Sequence, residues 1–175
     1  MRSWTSKGTL VAAIALPVLS GAAWAGDSDH FGCSNATLKG EYAFGATAYT
    51  PPGLPDGPPS VVAGIKIFDG KGNLTQRDYR GDTVPAQFSP AAGKPNAETG
   101  TYQVDSDCTG SMVINLNAPV PVGSTGVIKV LFVISDGGRH IHEVVSEFTP
   151  PGSTTGPAPT QTSADDWKVA SEQDE

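Results

Sequence analysis

Phe68-Asp69-Gly70-Lys71-Gly72-Asn73 and Asp105-Ser106-Asp107-Cys108-Thr109-Gly110 each stand between alternating apolar segments, and their reading decides the fold class of this chain. Asp-Gly and Gly-Asn supply the positive φ angles that tight hairpin turns demand, so each stretch joins neighbouring antiparallel strands and sets their register. An all-β domain follows.

Working outward, Leu38 to Tyr49 alternates around Tyr42 and Phe44 and reads as a first strand. Val61 to Phe68 and Leu74 to Arg80 flank the first turn, and Thr99 to Val104 and Ser111 to Asn117 flank the second. Val127 to Ser135 is the most hydrophobic segment, apolar on both faces except at Lys129, which predicts a strand buried on both sides. Asp136-Gly137-Gly138 turns it into His140 to Thr149, where Pro150 and Pro151 end the pattern. That makes seven strands, with an eighth expected in the irregular region of Thr83 to Ser89. Between them, Thr50 to Ser60, Gly81 to Glu98 and Ala118 to Thr125 are Pro/Gly-rich connections with too few backbone donors for a sheet.

The first 25 residues read as a signal peptide. Arg2 and Lys7 give a positive start, Leu10 to Leu19 is a short apolar run, and Ala23-Trp24-Ala25 is a small-x-small cleavage site. The expected organisation is therefore a signal peptide over 1–25, an antiparallel β-barrel domain over 26–149, and a Pro/Gly/Ser/Thr-rich acidic tail over 150–175. The tail is expected to be flexible, with a short helix over Asp165 to Ser171 as an alternative, since Ser163 and Asp166 fit a capping box. Secretion or a periplasmic location follows from the leader, and no second hydrophobic span predicts a membrane anchor.

The 175-residue chain carries a formal net charge of -7. Loss of Arg2 and Lys7 with the leader leaves nine cations against eighteen acids, or -9. So acidic a chain is a poor partner for nucleic acid or an anionic membrane. Its two cysteines, in an exported chain, read as one disulfide between Cys33 and Cys108. Closing so long a loop restricts the unfolded chain by on the order of 4 kcal/mol in the entropy model.

Candidate chemistry is sparse, and no catalytic constellation stands out. His140-Ile141-His142 with Glu147 behind it is a weak metal candidate, because imidazoles at i and i+2 on a strand share a face. The spacing resembles the first cupin motif, but a third histidine from a later strand is absent, so an ordinary strand with two polar residues is the better reading. A second set consists of ionisable residues on predicted strands, among them Arg77, Asp78 and Glu147. Glu41, Tyr42, Lys66, Lys129 and Glu143 are the candidate interior polar groups, and an inward charge needs a partner or a ligand. Lys129 draws attention because it lies in the most apolar strand, where it would pair with Glu143 or orient a carboxylate. Asp69, Asp105 and Asp107 lack the spacing of a calcium loop and are explained by turn chemistry. No cofactor is expected.

The run Cys33-Ser34-Asn35-Ala36-Thr37-Leu38-Lys39-Gly40-Glu41-Tyr42-Ala43-Phe44, the Phe-Asp-Gly-x-Gly-Asn core, Gly100-Thr101-Tyr102-Gln103-Val104 and Asp107-Cys108-Thr109-Gly110 together resemble a group of exported bacterial proteins of mostly unassigned function. That group is similar to the allene oxide cyclase-like, calycin-type β-barrels. The resemblance covers Cys33 to about Phe148 and implies a single antiparallel meander barrel of about eight strands with a ligand-sized interior. It implies no catalytic position. The expected function is binding of a small hydrophobic ligand inside an exported barrel. A cyclase or isomerase of the same barrel type, and a non-catalytic envelope interaction module, are the alternatives.

Overall fold

The computed structural model describes residues 32–49, 59–81, 89–95, 97–117 and 125–169. The predicted leader, and positions 83–88 of the region expected to supply an eighth strand, lie outside the described residues. Eight strands form one closed antiparallel barrel: β1 (Gly40–Tyr49), β2 (Ser60–Phe68), β3 (Asn73–Arg80), β4 (Glu98–Val104), β5 (Thr109–Asn117), β6 (Thr125–Ser135), β7 (His140–Thr149) and β8 (Gln161–Lys168). Each strand pairs with the next, and β8 returns to β1 over Tyr42↔Lys168 to Tyr49↔Gln161. The expected eight-stranded meander is the observed one.

Its eighth strand comes from an unexpected place. Gln161–Lys168, assigned from sequence to the acidic tail with a short helix as the alternative, is β8, inserted between β1 and β7. The segment carries two Asp, an Ala and a Lys, residues depleted in strands. Closure supplies what propensity does not, because both edges of the open seven-stranded sheet would otherwise present unpaired backbone groups.

In a meander, alternate connections lie at opposite ends. The short turns β2–β3, β4–β5 and β6–β7 therefore gather at one end, and the strand ends that the longer connections join lie at the other. Both opening motifs join antiparallel neighbours at the short-turn end, but in the second the positive φ falls on Cys108 (67°) and not on a glycine. Gly70 and Gly72 take φ angles of 77° and 107°. Asp69 Oδ1 accepts hydrogen bonds from the backbone N–H of Lys71 (2.7 Å) and Asn73 (3.0 Å), and the Asn73 side chain donates to Oδ2; together these hold the carboxyl down at about 2.

The segment before β1 plugs this end. A short 3-10 helix, Asn35–Leu38, drives Leu38 into the bore with no exposed surface. The Asn35 side-chain oxygen accepts from Val104 N (2.8 Å), and the Tyr102 hydroxyl donates to the Asn35 carbonyl (2.9 Å). The Cys33–Cys108 disulfide is formed, tying the plug to the β4–β5 turn across 75 residues. Gly138, at φ 90°, sits so close to the plug that a Cβ would lie 2.7 Å from the Thr37 carbonyl oxygen, while that glycine's own carbonyl accepts from the Tyr42 hydroxyl.

Above the plug lies the apolar core. Tyr42, Phe68 and Tyr102 meet edge to face, with centroids 5.3 and 5.0 Å apart, and Met112, Ile114, Val130, Phe132, Ile134 and Ile141 complete the layer. β6 contributes Ile128, Val130, Phe132 and Ile134 to this interior, but its other face is outward: Leu131 is 58% exposed and Val133 49%. The expectation of a doubly buried β6 is thus corrected, since a single-walled barrel has no second layer to cover that face. No helix among the described residues is long and apolar enough to cross a membrane.

Candidate functional site

Inward positions along β2 run Val62, Gly64, Lys66, Phe68, so the parity that buries Phe68 also buries Lys66. Its ammonium meets two carboxylates from β7 and β8, on the far side of β1. Lys66 Nζ lies 2.5 Å from Glu143 Oε2 on β7, and 3.2 and 3.0 Å from Asp166 Oδ1 and Oδ2 on β8. All three side chains are at most 4% exposed. The Phe44 ring covers the ammonium, with its centroid 4.5 Å from Nζ. Phe44 finds room because Gly64 stands opposite; a Cβ there would come within 2.6 Å of the ring.

Two acids on one cation leave the layer unbalanced. Burial opposes the charge on Lys66, but the facing Glu143 and Asp166 outweigh it and raise its pKa. Burial pushes the Asp166 carboxyl well above the usual carboxylate range; Lys66 opposes this, and the charge and hydrogen bond of Glu143 reinforce it. The layer is therefore expected to hold a proton on one acid rather than two full negative charges. Glu143 Oε1 is buried with no hydrogen-bond partner among the described residues.

A second polar group lies beside the first along the bore. Gln76 Nε2 donates to Glu98 Oε2 (3.0 Å) and, more weakly, to Asp78 Oδ2 (3.4 Å). Burial, then the neighbouring Asp78 charge, pushes Glu98 up to about 7. Asp78 is likewise raised by burial. Toward the long-loop end the wall becomes small and apolar, through Ala46, Ala48, Val62, Leu116, Ile128 and Val145, all half-buried. Along β1 the inward residues pass from fully buried Tyr42 through Phe44 to half-buried Ala46 and Ala48, so burial falls off in that direction.

Of the candidate interior groups, Tyr42, Lys66 and Glu143 do face the bore. Burial raises the Tyr42 hydroxyl to about 12. Glu41 and Lys129 are instead exposed on the outer wall, and Lys129 pairs there with Glu147 at 3.0 Å rather than with Glu143. Lys129 follows the outward parity of Leu131 and Val133; a lysine amid an apolar run is an outward residue of a strand whose outer face is itself apolar. Asp166, Gln76 and Glu98 were missed. Glu98, Gly100, Tyr102 and Val104 share one parity on β4, a signal that could have identified Glu98, whereas Asp166 was hidden by the assignment of its segment to the tail.

On the outer wall, His140 and His142 share a face as expected, but Glu147 is engaged with Lys129. Their companion is Asp165 of β8, whose Oδ1 lies 3.1 Å from His140 Nε2 and 2.8 Å from His142 Nδ1. No protein-family model, no curated protein and no solved structure matches this chain.

Proposed function

We propose that this barrel is exported and binds a small, largely hydrophobic molecule through its long-loop end, with one hydrogen-bond donor of the ligand, a hydroxyl or an amine, directed at the buried charged layer. The observation that carries this reading is Glu143 Oε1, a carboxylate oxygen shut inside the bore without a donor among the described residues. Such an atom carries a desolvation cost of about 1–3 kcal/mol that a ligand O–H or N–H would remove. Half-buried Ala46, Ala48, Val62 and Ile128 lie on the rimward wall and suit the ligand's apolar body. An eight-stranded barrel is wide enough for one small ligand. The disulfide and the leader-like N-terminus support export, and the resemblance to calycin-type barrels supports interior binding.

A second reading, a cyclase or isomerase acting on a hydrophobic substrate, is favoured by one feature. Glu98 lies on the same bore with its carboxyl pushed up to about 7, where it can take or give a proton near neutral pH.

The test is native mass spectrometry of protein recovered from its own exporting cell, followed by thermal-shift measurements with medium-chain alcohols, amines and carboxylates. Alcohols or amines are expected to stabilise by about 2.7 kcal/mol at a hundred times their Kd, and carboxylates at the same concentration, which add negative charge beside Glu143, by much less. A protein that carries no small molecule and shifts with no member of the panel would overturn ligand binding. Turnover of a bound ligand, lost in Glu98→Gln, would select the second reading.

A further inference from the structure

Along β7 the side chains alternate, so His140 and His142 stand outside the barrel wall while Ile141 and Glu143 stand inside. The β7–β8 register places Asp165 directly opposite His142 and Trp167 directly opposite His140. Cross-strand neighbours of this kind are held close by the backbone ladder itself. The result is three potential ligand atoms, His140 Nε2, His142 Nδ1 and one Asp165 carboxylate oxygen, all within 4.8 Å of one another.

We infer that this triad binds a divalent transition-metal ion of the zinc class, independently of whatever occupies the bore. Donor chemistry chooses the class. Two imidazoles and one carboxylate suit Zn2+, Cu2+ or Ni2+, whereas Ca2+ and Mg2+ require oxygen ligands. The spacing also fits. With bonds of about 2.0–2.2 Å, ligand atoms of a tetrahedral centre stand about 3.3–3.5 Å apart. The two nitrogens already lie 3.1 and 2.8 Å from the same carboxylate oxygen, so small side-chain rotations open the site without moving a strand.

The surroundings hold the ligands in place. Trp167 stacks on His140 with centroids 3.6 Å apart and planes 13° from parallel, and it keeps that imidazole only 11% exposed. His142 and Asp165 are more than half exposed and give an ion direct entry from solvent. Both imidazoles converge on one oxygen, which must otherwise accept from two ring N–H groups. A metal ion would take the place of both protons and join the three donors. Three protein ligands leave at least one position for water or an external ligand, the pattern of an exchangeable rather than a closed structural centre.

The experiment is a calorimetric titration of the chelator-treated, untagged full chain with ZnCl2 at pH 7.5, paralleled by CaCl2 and by NMR of the histidine Cε1 protons. One equivalent of Zn2+ is expected to bind in the micromolar range and to shift the His140 and His142 resonances, while Ca2+ does neither. His142→Ala or Asp165→Ala is expected to weaken binding by more than about tenfold, and lowering the pH to 5.5 to release the ion, because protons compete for imidazole. Absence of saturable binding would overturn the proposal. So would shifts at His30 alone, which wild-type spectra reveal whether or not the variants fold.

Discussion

Lys66 on β2 reaches past β1 to Asp166 on β8, Nζ to Oδ2 3.0 Å, and the two residues are 100 positions apart in the chain. The pair links the strand that follows the first long loop to the strand that closes the barrel. It does so through charges that have surrendered nearly all contact with water, so each depends on the others for its solvation.

Removing the cation alone strands two buried acids. Lys66→Met is expected to destabilise the fold by about 3–5 kcal/mol in urea denaturation at pH 8. The triple variant Lys66→Met, Glu143→Gln, Asp166→Asn is expected to recover most of that loss, since neutral groups of similar shape carry no uncompensated charge. A single variant as stable as the parent would show that the layer is hydrated rather than dry.

Stability is expected to fall as the pH rises from 5 to 8. Glu98 titrates at about 7 in the folded barrel and near 4.3 in the unfolded chain, so folding favours its protonated form. That contribution is complete below the unfolded value and is lost as pH climbs through the folded one. Asp78, also raised by burial, acts with the same sign. Glu98→Gln is expected to flatten the profile and to add on the order of 2 kcal/mol at pH 8. Denaturant midpoints across that range measure both effects.

Cys33→Ser with Cys108→Ser opens a closure spanning 75 residues. The expected loss is about 3–5 kcal/mol. Because the bond anchors the plug rather than the wall, hydrogen exchange should accelerate first at Leu38 and at Val104, whose N–H donates to Asn35.

A chain ending at Thr160 lacks β8 and leaves β1 and β7 as unpaired edges. It is expected to lose near-ultraviolet circular dichroism and to aggregate. A synthetic peptide covering 161–169 should restore the signal by adding the missing strand in trans.

Much of this was legible residue by residue. The Asp-Gly and Gly-Asn turns, the alternation of β4 and the inward Ile128–Ile134 face of β6 are local patterns, because period-two side-chain alternation and positive φ are set within a few residues. The Cys33–Cys108 bond followed from composition and export context. The candidate site was only half legible: Lys66 and Glu143 were named as interior groups, yet Lys129 was given the role that belongs to Lys66.

By itself, then, the sequence determined an all-β meander, its tight turns and its disulfide, since these depend on backbone chemistry and on counting. Only the tertiary structure decided that Gln161–Lys168 is a strand, that Asp166 faces inward to Lys66, and that Asp165 faces outward to His140 and His142. The physical reason is the same in each case. A segment poor in strand formers takes its conformation from the two open edges it satisfies, and the register of that closure, not any local preference, sends one aspartate into the bore and its neighbour to the outer wall.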